Sequence, residues 1–238
     1  MQPYSNNTFC IYGVIIKMIK LENVSFSYDG ISALKNISLS IESNESIALK
    51  GPNGCGKSTL LKLLNGIIFP VEGTYYFDEH KITKDSMKDN KFSKWLHQKI
   101  GFVFQNPDSQ LFCGNVYEEI AFGPSQMGFS DEIIQKRTED CLKLLEIEDL
   151  KDRAPYHLSG GEKRKVAIAS VLSLNPSILM LDEPLNGLDS DSQEWLVDFL
   201  IKLKSSAKTI LLSTHDDTFA HMVCSKVITL NKNHELVK

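Results

Sequence analysis

The run Gly51-Pro52-Asn53-Gly54-Cys55-Gly56-Lys57-Ser58-Thr59 fits the spacing GxxxxGK[ST] without a gap. These residue types suit a polyphosphate. The β- and γ-phosphates of a nucleotide need several donors within about 3 Å. Gly51, Gly54 and Gly56 let the backbone curl, so that successive N–H groups, those of Asn53 and Cys55 among them, point inward. A helix starting beside Lys57 adds the positive end of its dipole. Lys57 neutralises the β/γ oxygens, the Ser58 hydroxyl is a Mg²⁺ ligand, and Thr59 completes the cradle. A glycine-rich turn without a ligand is the bland alternative. The apolar strand Ser46–Leu49 before the motif and the helix after it speak against that. Cys55 reads as a small filler, not as a reactive thiol.

Two carboxylates end the apolar run Ile178-Leu179-Met180-Leu181, namely Asp182 and Glu183, with Pro184 next. Ligands of open α/β sheets bind at the carboxyl ends of strands. Asp182 is expected to hold Mg²⁺, directly or through water, and Glu183 to polarise the water that attacks the γ-phosphate. A polar turn after a core strand is the competing reading, and the phosphate cradle in the same chain weighs against it.

A third group, Leu158-Ser159-Gly160-Gly161-Glu162, stands before the helical run Lys163–Ala169. Ser159 with Glu162 three residues on is a capping box. Capping does not require two consecutive glycines, but a phosphate approaching a helix N-terminus does benefit from them. The group is similar to the signature LSGGQ of the ABC family of nucleotide-binding domains, with Glu162 for the final Gln. The resemblance runs from Met18 to the end, and seven motifs follow in the family's order.

The resemblance implies further roles. Tyr28 stands where the family stacks a ring on adenine. Gln105 resembles the glutamine that contacts Mg²⁺ and the attacking water. Gly187-Leu188-Asp189 is similar to the D-loop, and His215 to the histidine that contacts the γ-phosphate. Catalysis would rest on Glu183, His215 and Gln105, and Mg²⁺ on Ser58, Gln105 and Asp182. In the family two such domains enclose ATP between them, so Ser159, Gly160, Gly161 and Glu162 would serve the partner's ATP. A second ATPase subunit is therefore expected, in a homodimer or a heterodimer.

The elements that must position these groups alternate between strand-like and helix-like segments, which points to an α/β fold with a largely parallel sheet. Residues 18–28, 36–50, 74–77, 99–104, 178–181, 209–212 and 226–230 read as strands. Helices are expected over 58–64, over 131–145, and on the face carrying Trp195, Leu196, Phe199, Leu200 and Leu203. The expectation is a P-loop NTPase core with a mixed sheet over residues 18–238. A helical subdomain is inserted at about 106–165. Residues 1–17 differ in character and read as an N-terminal extension, with Met18 opening the domain.

Composition narrows the function. The net charge of −4 gives no nucleic-acid footprint, and none is expected as a partner. The five cysteines (Cys10, Cys55, Cys113, Cys141, Cys224) have no CxxC spacing, which fits a reducing cytosol. The apolar stretch Phe9–Ile19 is too short to cross a bilayer. Membrane work would go through integral membrane transporter subunits, with this chain peripheral on the cytoplasmic face.

Two function classes remain. One is an ATP-hydrolysing transporter subunit; the other is a non-transport ABC ATPase acting on nucleic acid or ribosomes. Gln105 and Leu158 are only 53 residues apart, leaving no room for a long coiled coil, and the chain carries one such domain rather than two. Both features favour transport. Phe104–Phe112 and Glu118–Pro124 resemble energy-coupling-factor transporter ATPases, which move vitamins or the transition metals cobalt and nickel. Leu185-Asn186 departs from the small or hydroxyl residues commoner there. The short segment after the last strand leans toward the metal type. Phe112, Val116 and Tyr117 have two readings: packing of the helical subdomain, or a groove for a membrane subunit's coupling helix.

Overall fold

The computed structural model describes residues 17–237. The extension expected over residues 1–17 lies, except for Lys17, outside the described residues. Strand β1 (Lys17–Tyr28) returns as β2 (Ile31–Glu42). Asp29 and Gly30 between them have φ of 46° and 82°, the left-handed pair that a tight two-residue hairpin needs. Residues 36–50 do not form the one strand expected. Asn44, at φ 67°, turns the chain, and its N–H donates to Thr209 Oγ1 at 2.8 Å. The separate strand β3 (Ser46–Lys50) then leads into the glycine-rich loop and helix α1 (Lys57–Leu64).

Strands β4 (Glu72–Phe77) and β5 (His80–Lys81) follow, then helix α2 (Asn90–Lys99), which is absent from the expected elements although Phe92, Trp95 and Leu96 recur in it at helical spacing, and strand β6 (Ile100–Val103). Helices α3 (Val116–Gln126), α4 (Asp131–Leu144) and α5 (Gly160–Leu172) come next. The chain closes with strand β7 (Ile178–Leu181), helix α6 (Ser190–Ser205), strand β8 (Thr209–Ser213), helix α7 (Asp217–Val223) and strand β9 (Lys226–Thr229).

Parallel and antiparallel pairing are divided between two sheets. One is antiparallel, in the order β2-β1-β4-β5; the other is parallel, in the order β6-β7-β8-β3-β9. The parallel sheet is buried on both faces, which explains its unbroken apolar strands. Ile178 and Met180 of β7 face a core shared with α1, α2 and the antiparallel sheet. Leu179 and Leu181 face a second core built from α3 to α7. Strand β8 splits the same way, with Leu211 in the first core and Ile210 and Leu212 in the second. With both faces filled by side chains, the sheet offers chemistry only at its strand ends.

Candidate functional site

The loop between β3 and α1 is shaped by close approaches that only glycine allows. A Cβ on Gly51 would lie 2.3 Å from the Leu230 carbonyl oxygen, and one on Gly56 would lie 2.3 Å from that of Ala33. Gly56, at φ 108°, is the N-cap of α1 and carries no capping side chain. The first N–H groups of the helix therefore face outward without a side-chain acceptor, an arrangement suited to an anion. Cys55 is buried and packs under Gly51, as a filler would.

This loop forms one wall of a cleft of about 570 Å³. Asn53, Gly54, Gly56, Lys57, Ser58 and Thr59 line it there. Tyr28 closes another side, 44% exposed and edge-on to Phe26 at 4.8 Å. Gln105, Glu183 and His215 reach the same cleft from the ends of β6, β7 and β8. The structure thus brings together ten of the residues singled out from sequence.

Asp182 does not line that cleft, although it follows β7 directly. It is buried, and its Oδ1 accepts a 2.6 Å hydrogen bond from Ser213 Oγ. Ser213 Oγ in turn accepts from Glu183 N at 2.8 Å. Glu183 stands at φ 43°, a conformation that costs a non-glycine residue about 1 kcal/mol or more unless its surroundings enforce it. Ser213 supplies that enforcement, and no sequence motif points to it. Only the pairing of β7 with β8 brings it beside the two acids.

The carboxylate of Glu183 is the electrostatic centre. Its Oε1 lies 3.3 Å from Lys57 Nζ, and its Oε2 accepts from His215 Nδ1 at 2.9 Å. Lys57 also donates to Gly51 O at 2.9 Å. One lysine, one carboxylate and one imidazole therefore meet where the sheet's strand ends face the loop. Such a set can grip phosphate oxygens and accept a proton from water beside them. The oxygen donors of Ser58, Gln105 and Asp182 are those Mg²⁺ prefers, and Asp182 Oδ2 makes no hydrogen bond among the described residues. The residues present fit both ATP and Mg²⁺.

Ser159, Gly160, Gly161 and Glu162 stand elsewhere, at the start of α5, and none of them lines the cleft. The capping box is complete: Ser159 N donates to Glu162 Oε2 at 2.7 Å, and Glu162 N to Ser159 Oγ at 3.3 Å. The Ser159 backbone N–H holds the Glu162 carboxyl below its ordinary pKa. A Cβ on Gly161 would press on Ser192 Oγ at 2.2 Å. A Cβ on Gly160 would meet nothing closer than Gly187 O at 3.6 Å, so packing within this chain does not demand glycine there. Asp189 caps α6 by accepting from Ser192 N at 2.8 Å, which lowers its pKa.

The structure ties this helix to Gln105 through a residue that no motif singles out. Arg164, only 1% exposed, donates from Nη1 to Phe104 O and from Nη2 to Gln105 O, each at 2.7 Å. Burial pushes its pKa down to about 10, partly opposed by Asp182. Lys163 adds an ion pair to Asp108 at 2.7 Å. Gln110 spans the same joint, accepting from Phe104 N at 3.1 Å and donating to Ala167 O at 3.0 Å. Nearby, Val116 is core, whereas Phe112 is 68% exposed and edge-on to Phe122 at 4.9 Å.

The chain is similar to known proteins. The family model described as ABC transporter matches residues 34–186. The nickel import ATP-binding protein LarO of Lactiplantibacillus plantarum is 47% identical over 219 residues, covering 92% of this chain and 91% of the relative. The solved structure of cbiO1 from Clostridium perfringens, part of the ABC transporter complex cbiONQ, has a TM-score of 0.82. It is 37% identical and covers 93% of this chain and 87% of its own. A dimeric ATP-binding cassette bound to ADP and Pi also has a TM-score of 0.82, with 34% identity and coverage of 93% and 97%.

Proposed function

The chain belongs to the ABC transporter family and is an ATP-hydrolysing subunit, and on that premise we propose that it powers an energy-coupling-factor importer for nickel or cobalt. The observation that carries the ATPase chemistry is the meeting of Lys57, Glu183 and His215 at the strand ends. Lys57 and the amides of the glycine loop grip the β- and γ-phosphates. Tyr28 stacks on the base. Glu183 takes the proton of the attacking water, and the His215 N–H keeps the carboxylate turned toward it. Ser58, Gln105 and Asp182 would hold Mg²⁺, which neutralises phosphate charge when bound.

Exposed Ser159 and Gly160 in the signature, with a glycine at 160 that packing in its own chain does not require, support a site completed by a second ATPase subunit. The dimeric, ADP-bound relative supports the same reading. Membrane subunits would hold the chain at the cytoplasmic face. No helix among the described residues is long and apolar enough to cross a membrane. The resemblance around Phe104–Phe112 and the likeness to a nickel import ATPase support the importer class and its cargo.

The test is uptake. Cells expressing the chain with its membrane subunits, identified by co-purification, should accumulate ⁶³Ni²⁺ or ⁵⁷Co²⁺. Substituting Glu183→Gln in the chromosome should abolish the accumulation. Uptake of both metals that persists in that variant overturns the importer reading.

A further inference from the structure

One more side chain reaches the nucleotide cleft, from the turn after β9. The Leu230 carbonyl closes against Gly51, and four residues later His234 O accepts from Lys35 N at 2.9 Å. His234 is thereby pinned between the glycine loop and the start of β2. Its ring lines the same cleft as Tyr28 and Ser32. Its backbone stands at φ 66°, which glycine or asparagine adopts with less strain. The turn alone gives no reason for an imidazole at that position.

The ring's contacts say what it can bind. His234 Nδ1 lies 3.2 Å from Cys55 O. A carbonyl oxygen only accepts, so Nδ1 carries the proton. In the neutral ring Nε2 is then a lone pair, and it makes no hydrogen bond among the described residues. A lone pair repels phosphate oxygens and attracts donors. The phosphates already have the loop amides and Lys57. The donors of the nucleoside part are the ribose hydroxyls and the adenine amine.

We propose that His234 is a nucleoside-selecting residue of this cleft, its Nε2 accepting a hydrogen bond from a hydroxyl or amine of the bound nucleoside while Nδ1–H stays on Cys55 O. The inference rests on the reading of the cleft as an ATP site. It assigns phosphate grip to the loop and part of the discrimination among nucleotides to the C-terminal turn.

The test measures dissociation constants of the full chain for four probes: ATP, 2′,3′-dideoxy-ATP, ITP and inorganic tripolyphosphate. His234→Gly and His234→Asn both tolerate the left-handed backbone, so at least one folded variant is expected, checked by its melting curve. Wild type should prefer ATP over one of the two analogues by about 2- to 12-fold, the worth of one hydrogen bond. Both variants should lose that preference and keep tripolyphosphate affinity within about twofold of wild type. Loss toward dideoxy-ATP assigns the donor to the ribose; loss toward ITP assigns it to the adenine amine. Unchanged preference overturns the proposal. So does equal weakening of all four probes, which would mean that the loop itself had been disturbed. Lys57→Ala separates the two claims, since it should weaken every probe. If it weakens none, the ATP reading of the cleft fails, whatever His234 does.

Discussion

Replacing Glu183 with glutamine separates binding from chemistry at this site. Glutamine keeps the shape, and its amide oxygen can still accept from His215 Nδ1. It removes the negative charge 3.3 Å from Lys57 Nζ. Across that distance, at an effective dielectric near 20, the gross attraction is about 5 kcal/mol. Both groups are buried, so desolvation offsets most of it, and about 1–2 kcal/mol remains. Phosphate must draw Lys57 away from Glu183 in the wild type and need not do so in the variant. ATP should therefore bind Glu183→Gln about 5- to 30-fold more tightly. The neutral amide cannot take the proton of water, so turnover should fall by roughly 10²–10⁴-fold. Calorimetric titration with ATP and phosphate release at saturating ATP measure the two effects independently. A turnover within about threefold of wild type removes Glu183 from its role as base. Weakened ATP binding refutes the competition between carboxylate and phosphate for Lys57.

Three further outcomes are expected. Lys57→Ala and Ser159→Arg should each be nearly inactive alone, yet mixing them should restore part of the ATPase activity, because one site of the mixed dimer keeps an intact loop and an intact signature. ATP-dependent crosslinks between cysteines introduced at Asn53 and Ser159 should then join different subunits, and crosslinks confined to single chains would sink the shared site. Arg164→Met should destabilise the fold by about 2–4 kcal/mol in urea, since it leaves the Phe104 and Gln105 carbonyls without their donor; a loss under about 0.5 kcal/mol would show that the joint is not held there. Glu162→Ala should cost about 1 kcal/mol and Glu162→Gln less. The Glu162 pKa is lowered in the fold, so the charged group's contribution is present above its ordinary value of 4.5 and lost as pH falls through the lowered one. The acid limb of the stability curve should shift accordingly in both variants, and an unchanged limb refutes the charge contribution.

The sequence is most informative where chemistry dictates contiguous spacing. The proposed phosphate loop Gly51–Thr59 is consecutive because one curled backbone would surround one set of phosphates, and so it is legible in the sequence alone. The same holds for Asp182-Glu183 after a strand apolar on both faces, and for the capping box from Ser159 to Glu162. Apolar runs mark most strands of the parallel sheet for a related reason: burial on both faces erases alternation. The break at Ser43-Asn44 is marked by the polar run Glu42-Ser43-Asn44-Glu45-Ser46, a turn signal that one strand over 36–50 overlooks; that the two strands go to different sheets is not written there. Helix α2 carries its own signal, Phe92, Trp95 and Leu96 at helical spacing after the cap Asp89, which the expected elements omit.

The rest is decided by tertiary structure. Ser213 meets Asp182 and Glu183 across 31 and 30 residues because β7 and β8 are neighbours in the parallel sheet. Arg164 reaches Gln105 because α5 packs beside the end of β6, where burial in a medium of low polarity makes two carbonyl contacts matter. His234 comes to the cradle across 179 residues, delivered by β9 pairing with β3. The contiguous runs Gly51–Thr59 and Asp182-Glu183 name groups proposed to meet phosphate, metal and water, because neighbours along the chain form them. The groups that hold those residues in place come from remote segments, and no local pattern records them, since strand order and helix packing make them neighbours.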